Sequence, residues 1–95
     1  MDDDFDARRE IAVRWIKNRL EQVEPSGTEE ELMADPSFQE LYADYMAHVS
    51  ASLRWRPWRL VQEFPAWMKW YRRKGADGKW RVYYRGVRIK AAEPI

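Results

Sequence analysis

Arginine and tryptophan alternate through residues 54–59, where Arg54, Trp55, Arg56, Pro57, Trp58 and Arg59 follow one another without a carboxylate. Cations at that density neutralise phosphates and release counterions, and indole faces beside them accept stacked bases. The same chemistry continues down the chain. Lys69, Arg72, Arg73 and Lys74 form a second basic run; Arg81, Arg85, Arg88 and Lys90 form a third, with Tyr83 among them. The expected partner is nucleic acid, DNA or RNA, gripped by its backbone with limited sequence specificity. All eleven cations are candidate phosphate contacts, and Tyr83, which Trp55 or Trp58 can join, is the candidate stacking residue.

Two competing readings use the same residues. In one, the basic segment lies against an acidic helix and cancels its field inside the monomer, with Arg and Lys stems covering apolar surface and Arg stacking on Trp. In the other, the chain is an adaptor or inhibitor that docks onto a larger protein. Its contacts would then be the acidic patches at Asp2 to Asp6 and Glu29 to Glu31, or the tryptophan-rich surface, since Trp, Tyr and Arg are enriched at binding hot spots.

Catalysis has little to build on. The single His48 stands four residues after Asp44, a spacing that can orient an imidazole, but no nucleophile motif accompanies it. Asp2, Asp3, Asp4 and Asp6 lack the shaped loop that a calcium site requires. Gly75, Gly78 and Gly86 match no phosphate-binding spacing. The expectation is a non-enzymatic binding protein with neither cofactor nor metal.

The elements that position these residues divide by charge. Residues 1–50 hold five Lys and Arg against thirteen Asp and Glu, and residues 51–95 hold twelve against three. Ninety-five residues make one domain, an acidic helical half followed by a basic, aromatic-rich half. Six Trp, five Tyr and three Phe exceed what so small a core needs, since each buried aromatic removes roughly 150–250 Å² from water. There is no Cys, no basic leader ahead of an apolar stretch and no membrane-length apolar run, so a cytoplasmic protein is expected.

Periodicity predicts a first helix from Asp4 to Val23, with Phe5, Ala12, Ile16, Leu20 and Val23 on one stripe and Ile11 and Trp15 aimed at a second surface. Thr28 to Glu31 matches a capping box. Asp35 as cap with Pro36 at the first helical position opens a central helix, whose stripe runs through Phe38, Leu41, Tyr42, Tyr45, Met46, Val49 and Leu53. Ala43, Ala47 and Ala51 lie on its opposite side, read first as Ala in its role of default helix former, with a close helix or a second subunit as the alternative. A short helix follows from Trp58 to Glu63. Pro65 then opens a turn carrying Trp67, Trp70 and Tyr71 and capped by Gly75, with a strand over Lys69 to Lys74 as the competing assignment.

Lys79 to Lys90 predicts a hairpin turning at Arg85-Gly86 and pairing Tyr84 with Val87, Val82 with Ile89, Tyr83 with Arg88 and Arg81 with Lys90. A turn at Ala76 to Gly78, joining it to a preceding strand, is the alternative. The expected fold is α+β and mostly helical, a small helical bundle with a C-terminal β-hairpin. No segment carries a family signature.

Overall fold

The computed structural model describes residues 3–24, 28 and 34–90. Glu29 to Glu31 of the expected capping box, and with them most of the acidic patches, fall outside them. The architecture is α+β. Helix α1 (Asp3–Arg19) runs directly into strand β1 (Leu20–Gln22); α2 spans Phe38–His48 and α3 Pro57–Leu60; β2 (Lys69–Lys74), β3 (Trp80–Arg85) and β4 (Val87–Ile89) complete the order. Short 3-10 turns at Ala51–Leu53 and Val61–Glu63 flank α3.

Four expectations change. The first helix ends at Arg19 rather than Val23, because Leu20, Glu21 and Gln22 pair with Ile89, Arg88 and Val87. Beyond that pairing, Lys90 N–H donates to the Arg19 carbonyl and Val23 N–H to that of Gly86. The N-cap of α2 is Ser37, not Asp35: its hydroxyl accepts from Glu40 N–H at 3.1 Å. The helix stops at His48, short of Leu53, because Val49 turns to extended backbone. There the Arg54 guanidinium caps it, donating to the Val49 and Met46 carbonyls at 2.7 and 2.6 Å. Such groups at a helix C-terminus otherwise lack partners.

The fourth change is the largest. Arg85-Gly86 is no hairpin turn. β3 pairs antiparallel with β2, from Lys69 opposite Arg85 to Lys74 opposite Trp80, and β4 pairs with β1. Gly86, at φ +81°, is the single residue between the two strand pairs. A two-residue turn of the expected kind needs φ > 0 at Arg85 as well, and no described non-glycine residue adopts it. The actual hairpin turn is at Gly75 to Lys79, where Gly75 N–H bonds the Lys79 carbonyl at 2.8 Å and Gly78 takes φ +80°. So Lys69 to Lys74 is a strand, and Gly75 caps no helix.

The core joins these parts. Ala12, Trp15, Ile16 and Leu20 of α1 and β1, Leu41 and Tyr45 of α2, Leu60, Met68, Tyr84 and Val87 are all buried. Trp15, expected to face a second surface, joins the same core as the main stripe of α1. Its ring meets that of Tyr45 edge-on at 5.2 Å, and its Nε1–H donates to Asp44 at 2.9 Å. Phe5 lies largely open, at 44% exposed, and Ala43, Ala47 and Ala51 face solvent.

Asp35, freed from capping, becomes the polar centre of the molecule. Its side chain is 4% exposed and accepts from the Tyr71 hydroxyl of β2 at 2.7 Å and from Arg88 Nη1 of β4 at 2.9 Å. Burial, then the Asp35 carboxylate, pushes the Tyr71 phenol up to about 12. Asp35→Ala strips both donors of their acceptor and should cost about 2–4 kcal/mol, read by urea denaturation, the Arg88 side chain being partly solvated. The phenol adds an alkaline dependence. An unfolded tyrosine loses its proton near pH 10 and Tyr71 in the fold only near 12. Its contribution is therefore whole below about pH 10 and lost as pH rises to 12. Tyr71→Phe should flatten that part of the stability profile.

Candidate functional site

Two basic, aromatic surfaces flank the segment from Arg54 to Phe64, and each is built from a different local rule. The first is strapped to α2. Tyr45, fully buried, accepts the Trp55 N–H on its hydroxyl at 2.9 Å, and the Tyr42 hydroxyl donates to the Trp55 carbonyl at 2.8 Å. Trp55 is thereby held from both sides of its backbone and buries its ring. Arg54, by capping α2, fixes the residue before it. Arg56 next takes extended backbone, and Pro57 opens α3 at the position where its missing N–H is harmless.

Between these parts lies a cleft of about 650 Å³. Phe5 and Trp55 meet in it with ring centroids 5.6 Å apart, and the Arg59 guanidinium lies 4.0 Å from the Trp55 ring centre and 5.0 Å from that of Phe5. Arg59 also pairs with Glu63 at 3.0 Å. Arg8 reaches in from α1 and donates to the Ser52 carbonyl. Trp58 stands beside the cleft 64% exposed, with Arg56 exposed next to it.

The second surface follows from strand alternation. Residues directly opposite in the β2–β3 pair share a face, so Trp70 with Tyr84, Arg72 with Val82 and Lys74 with Trp80 lie together. Tyr84 at the root is buried against Phe64, their rings edge-on at 5.2 Å. Trp70 and Trp80 are open to solvent, 64% and 67% exposed, with Arg72 and Lys74 exposed between them. A shallow cleft of about 520 Å³ runs along the root, floored by Phe64, Met68 and Tyr84 and edged by Trp70 and Arg72.

The opposite face of the hairpin is closed by its own partners. The Tyr71 and Tyr83 rings stack at 6.0 Å, Arg73 lies 4.0 Å over the Tyr83 ring, and Arg81 forks onto Asp77. These contacts hold the Asp77 carboxyl down at about 2, the Arg81 hydrogen bonds first and the Lys79 N–H second. Arg81 therefore stands opposite Arg73 rather than Lys90, with Asp77 and the Tyr83 ring offsetting the like charges.

The candidate contacts thus separate. Arg54 is a helix cap, Arg59 a stacked ion pair, Arg88 the partner of buried Asp35, and Lys90 rests on the Lys17 carbonyl. Tyr83 is 8% exposed and covered by Arg73. The expected outer face gathering Arg81, Tyr83, Arg85, Arg88 and Lys90 does not form, because β3 and β4 belong to different strand pairs. Among the described residues, Arg56, Lys69, Arg72, Lys74 and Arg85 have no carboxylate partner. The ion pairs of the basic segment, among the described residues, go to Glu63, Asp77 and Asp35, and one pair across to α1 joins Glu63 to Arg9. Trp70 and Trp80 were missed as site residues. The β2–β3 register, already implied by a turn at Ala76 to Gly78, is the signal that places them outward.

The Asp44 carboxylate is held by Trp15 and doubly by Arg19, and the His48 Nδ1 lies 3.4 Å from it and 2.8 Å from the Asp44 backbone carbonyl. Burial acts to raise the Asp44 pKa, but the Arg19 and Trp15 hydrogen bonds outweigh that and hold it below the usual carboxylate range. Among the described residues no three His, Asp or Glu side chains gather as metal ligands would, and no helix is long and apolar enough to cross a membrane.

The strap gives a direct check on how the first surface is held. Tyr45→Phe leaves the buried Trp55 N–H without an acceptor and should destabilise the protein by about 1–3 kcal/mol in thermal or urea unfolding. Tyr42→Phe, which orphans only an acceptor with a second lone pair, should cost less. Comparison with family models, with curated proteins and with solved structures finds no match to this chain.

Proposed function

We propose that the protein is a non-enzymatic module, a small helical bundle from which a basic hairpin extends, and that it binds single-stranded nucleic acid along the outer hairpin face. One observation carries this reading: Trp70 and Trp80 offer open indole faces on either side of Arg72 and Lys74, cations with no carboxylate partner among the described residues. Buried indoles are ordinary in a small core, whereas two that remain open beside unpaired cations fit a ligand that is flat and anionic. Bases stack on aromatic side chains whatever their sequence, and phosphates take the cations between them.

Duplex fits this arrangement less well, because its bases are already stacked on one another and cannot reach the indoles. The proposed contacts are Trp70, Arg72, Lys74 and Trp80, with Lys69 and Arg85 on the reverse face adding a general positive field. Arg81 and Arg88 have structural roles in this reading, since their charge is already answered by Asp77 and Asp35.

Fluorescence anisotropy with labelled single-stranded and duplex oligonucleotides over a salt series tests the proposal. Single strands should bind more tightly, with affinity falling linearly in log salt. Trp70→Ala and Trp80→Ala should each cost about 1–3 kcal/mol of binding, and Arg72→Glu should reduce the salt slope. Absence of binding at low salt, or affinity indifferent to all three substitutions, would sink the proposal. Tryptophan-rich faces also dock proteins; a partner whose capture survives nuclease treatment and is lost in Trp70→Ala would favour that reading instead.

A further inference from the structure

The cleft beside α3 concentrates more positive charge than the contacts around it answer. Arg8, Arg54, Arg56 and Arg59 all line it, and among the described residues no carboxylate does. Glu63, bonded to Arg59 from outside the lining, is shared with Arg9 at 3.4 Å. Arg54 and Arg8 have only backbone carbonyls as partners. Arg56 has no ion pair among the described residues. Two guanidinium nitrogens in this group, Arg8 Nε and Arg59 Nη1, are withheld from water and have no acceptor. Buried donors are almost always satisfied in folded proteins, so two arginines of this cleft that each keep an unanswered N–H, with Arg56 unpaired beside them, fit a site that takes an anion.

The remaining walls are flat and aromatic. Trp55 and Phe5 are engaged with Arg59, but Trp58 presents an open indole at the edge of the same cleft. A volume of about 650 Å³ lies within the roughly 300–1,000 Å³ typical of small-molecule sites. A ligand that suits both walls carries a planar ring for Trp58 and a compact, highly charged oxyanion for the arginines. Guanidinium forks match phosphate oxygens two at a time. A phosphate monoester carries about −1.5 to −2 at neutral pH, against one charge for the diester within a strand, which suits a site where several arginines converge.

We infer that this cleft binds the phosphate monoester of a nucleotide, either the phosphorylated end of a nucleic-acid strand or a free mononucleotide, with the base on Trp58 and the phosphate among Arg56, Arg8 and Arg59. The strand-end form rests on the reading of the hairpin as a nucleic-acid surface. The free-nucleotide form does not.

Short single strands with a 5′-phosphate, a 3′-phosphate or hydroxyls at both ends, each labelled internally, distinguish the cases, together with AMP and adenosine followed by tryptophan fluorescence. One phosphorylated end should bind about tenfold more tightly than the hydroxyl strand, the gain of roughly one charge-assisted contact. AMP should quench tryptophan emission where adenosine does not. Arg56→Gln and Trp58→Ala, both at exposed positions, should bring the phosphate preference to near unity and abolish the AMP response. Trp70→Ala should weaken all strands alike and keep the ratio. Strands that bind equally whatever their ends, with no response to AMP, overturn the cleft assignment and leave the hairpin reading standing. A response to AMP with no strand binding upholds the cleft and overturns the hairpin reading. A phosphate preference that survives both Arg56→Gln and Trp58→Ala overturns the placement in this cleft.

Discussion

A carboxylate held away from water must find donors, and the donors that Asp35 finds are on strands belonging to separate pairs. Tyr71 brings β2 and Arg88 brings β4 to one buried anion in the loop before α2. Neither strand pair is large enough to stand alone: β1–β4 spans three residues a side and β2–β3 is an isolated hairpin, and two-stranded units are marginal in water. The shared anion, together with Tyr84 N–H on the Pro36 carbonyl and the Ser37–Tyr83 bridge, ties both pairs to the start of α2. The orientation of the hairpin, and so the direction in which Trp70 and Trp80 face, follows from that tie.

The far end of α2 does for the arginine-tryptophan segment what its start does for the strands. Tyr42, Tyr45 and the capping contact of Arg54 hold the chain as it leaves the helix. Trp55 is drawn inward and Trp58, the second residue of α3, is left outside. One eleven-residue helix thus organises both basic surfaces, each through polar contacts at its ends while its middle packs apolar side chains into the core.

Much of this was legible in the residues. Periodicity named Leu41, Tyr45 and Val49 as core and a short helix across Trp58 to Glu63, because helical spacing records burial directly, whereas Trp15, off the first helix's stripe, belongs to the same core rather than to a second surface. Pairing was harder. Alternation along Trp80 to Ile89 gives faces but not neighbours, and β3 and β4 proved to have different ones. Asp35-Pro36 looks like a helix start, yet Ser37 followed by Glu40 is the better capping signature and was overlooked. That misassignment hid the buried role of Asp35. The cation site was misjudged for a related reason: composition counts charges, while only tertiary contacts show that Arg54, Arg81 and Arg88 are engaged and Arg56 and Arg72 open.

Strand β2 carries one more implication. It hydrogen-bonds β3 along one side, and among the described residues no strand covers the other. An uncovered strand invites another chain to pair with it unless something repels the newcomer, and here Lys69, Arg72, Arg73 and Lys74 do so by mutual repulsion between copies. That protection is electrostatic and lasts only while the charge is unscreened. High salt, or any counterion that neutralises these side chains, therefore removes the barrier and leaves the bare edge open to a second copy.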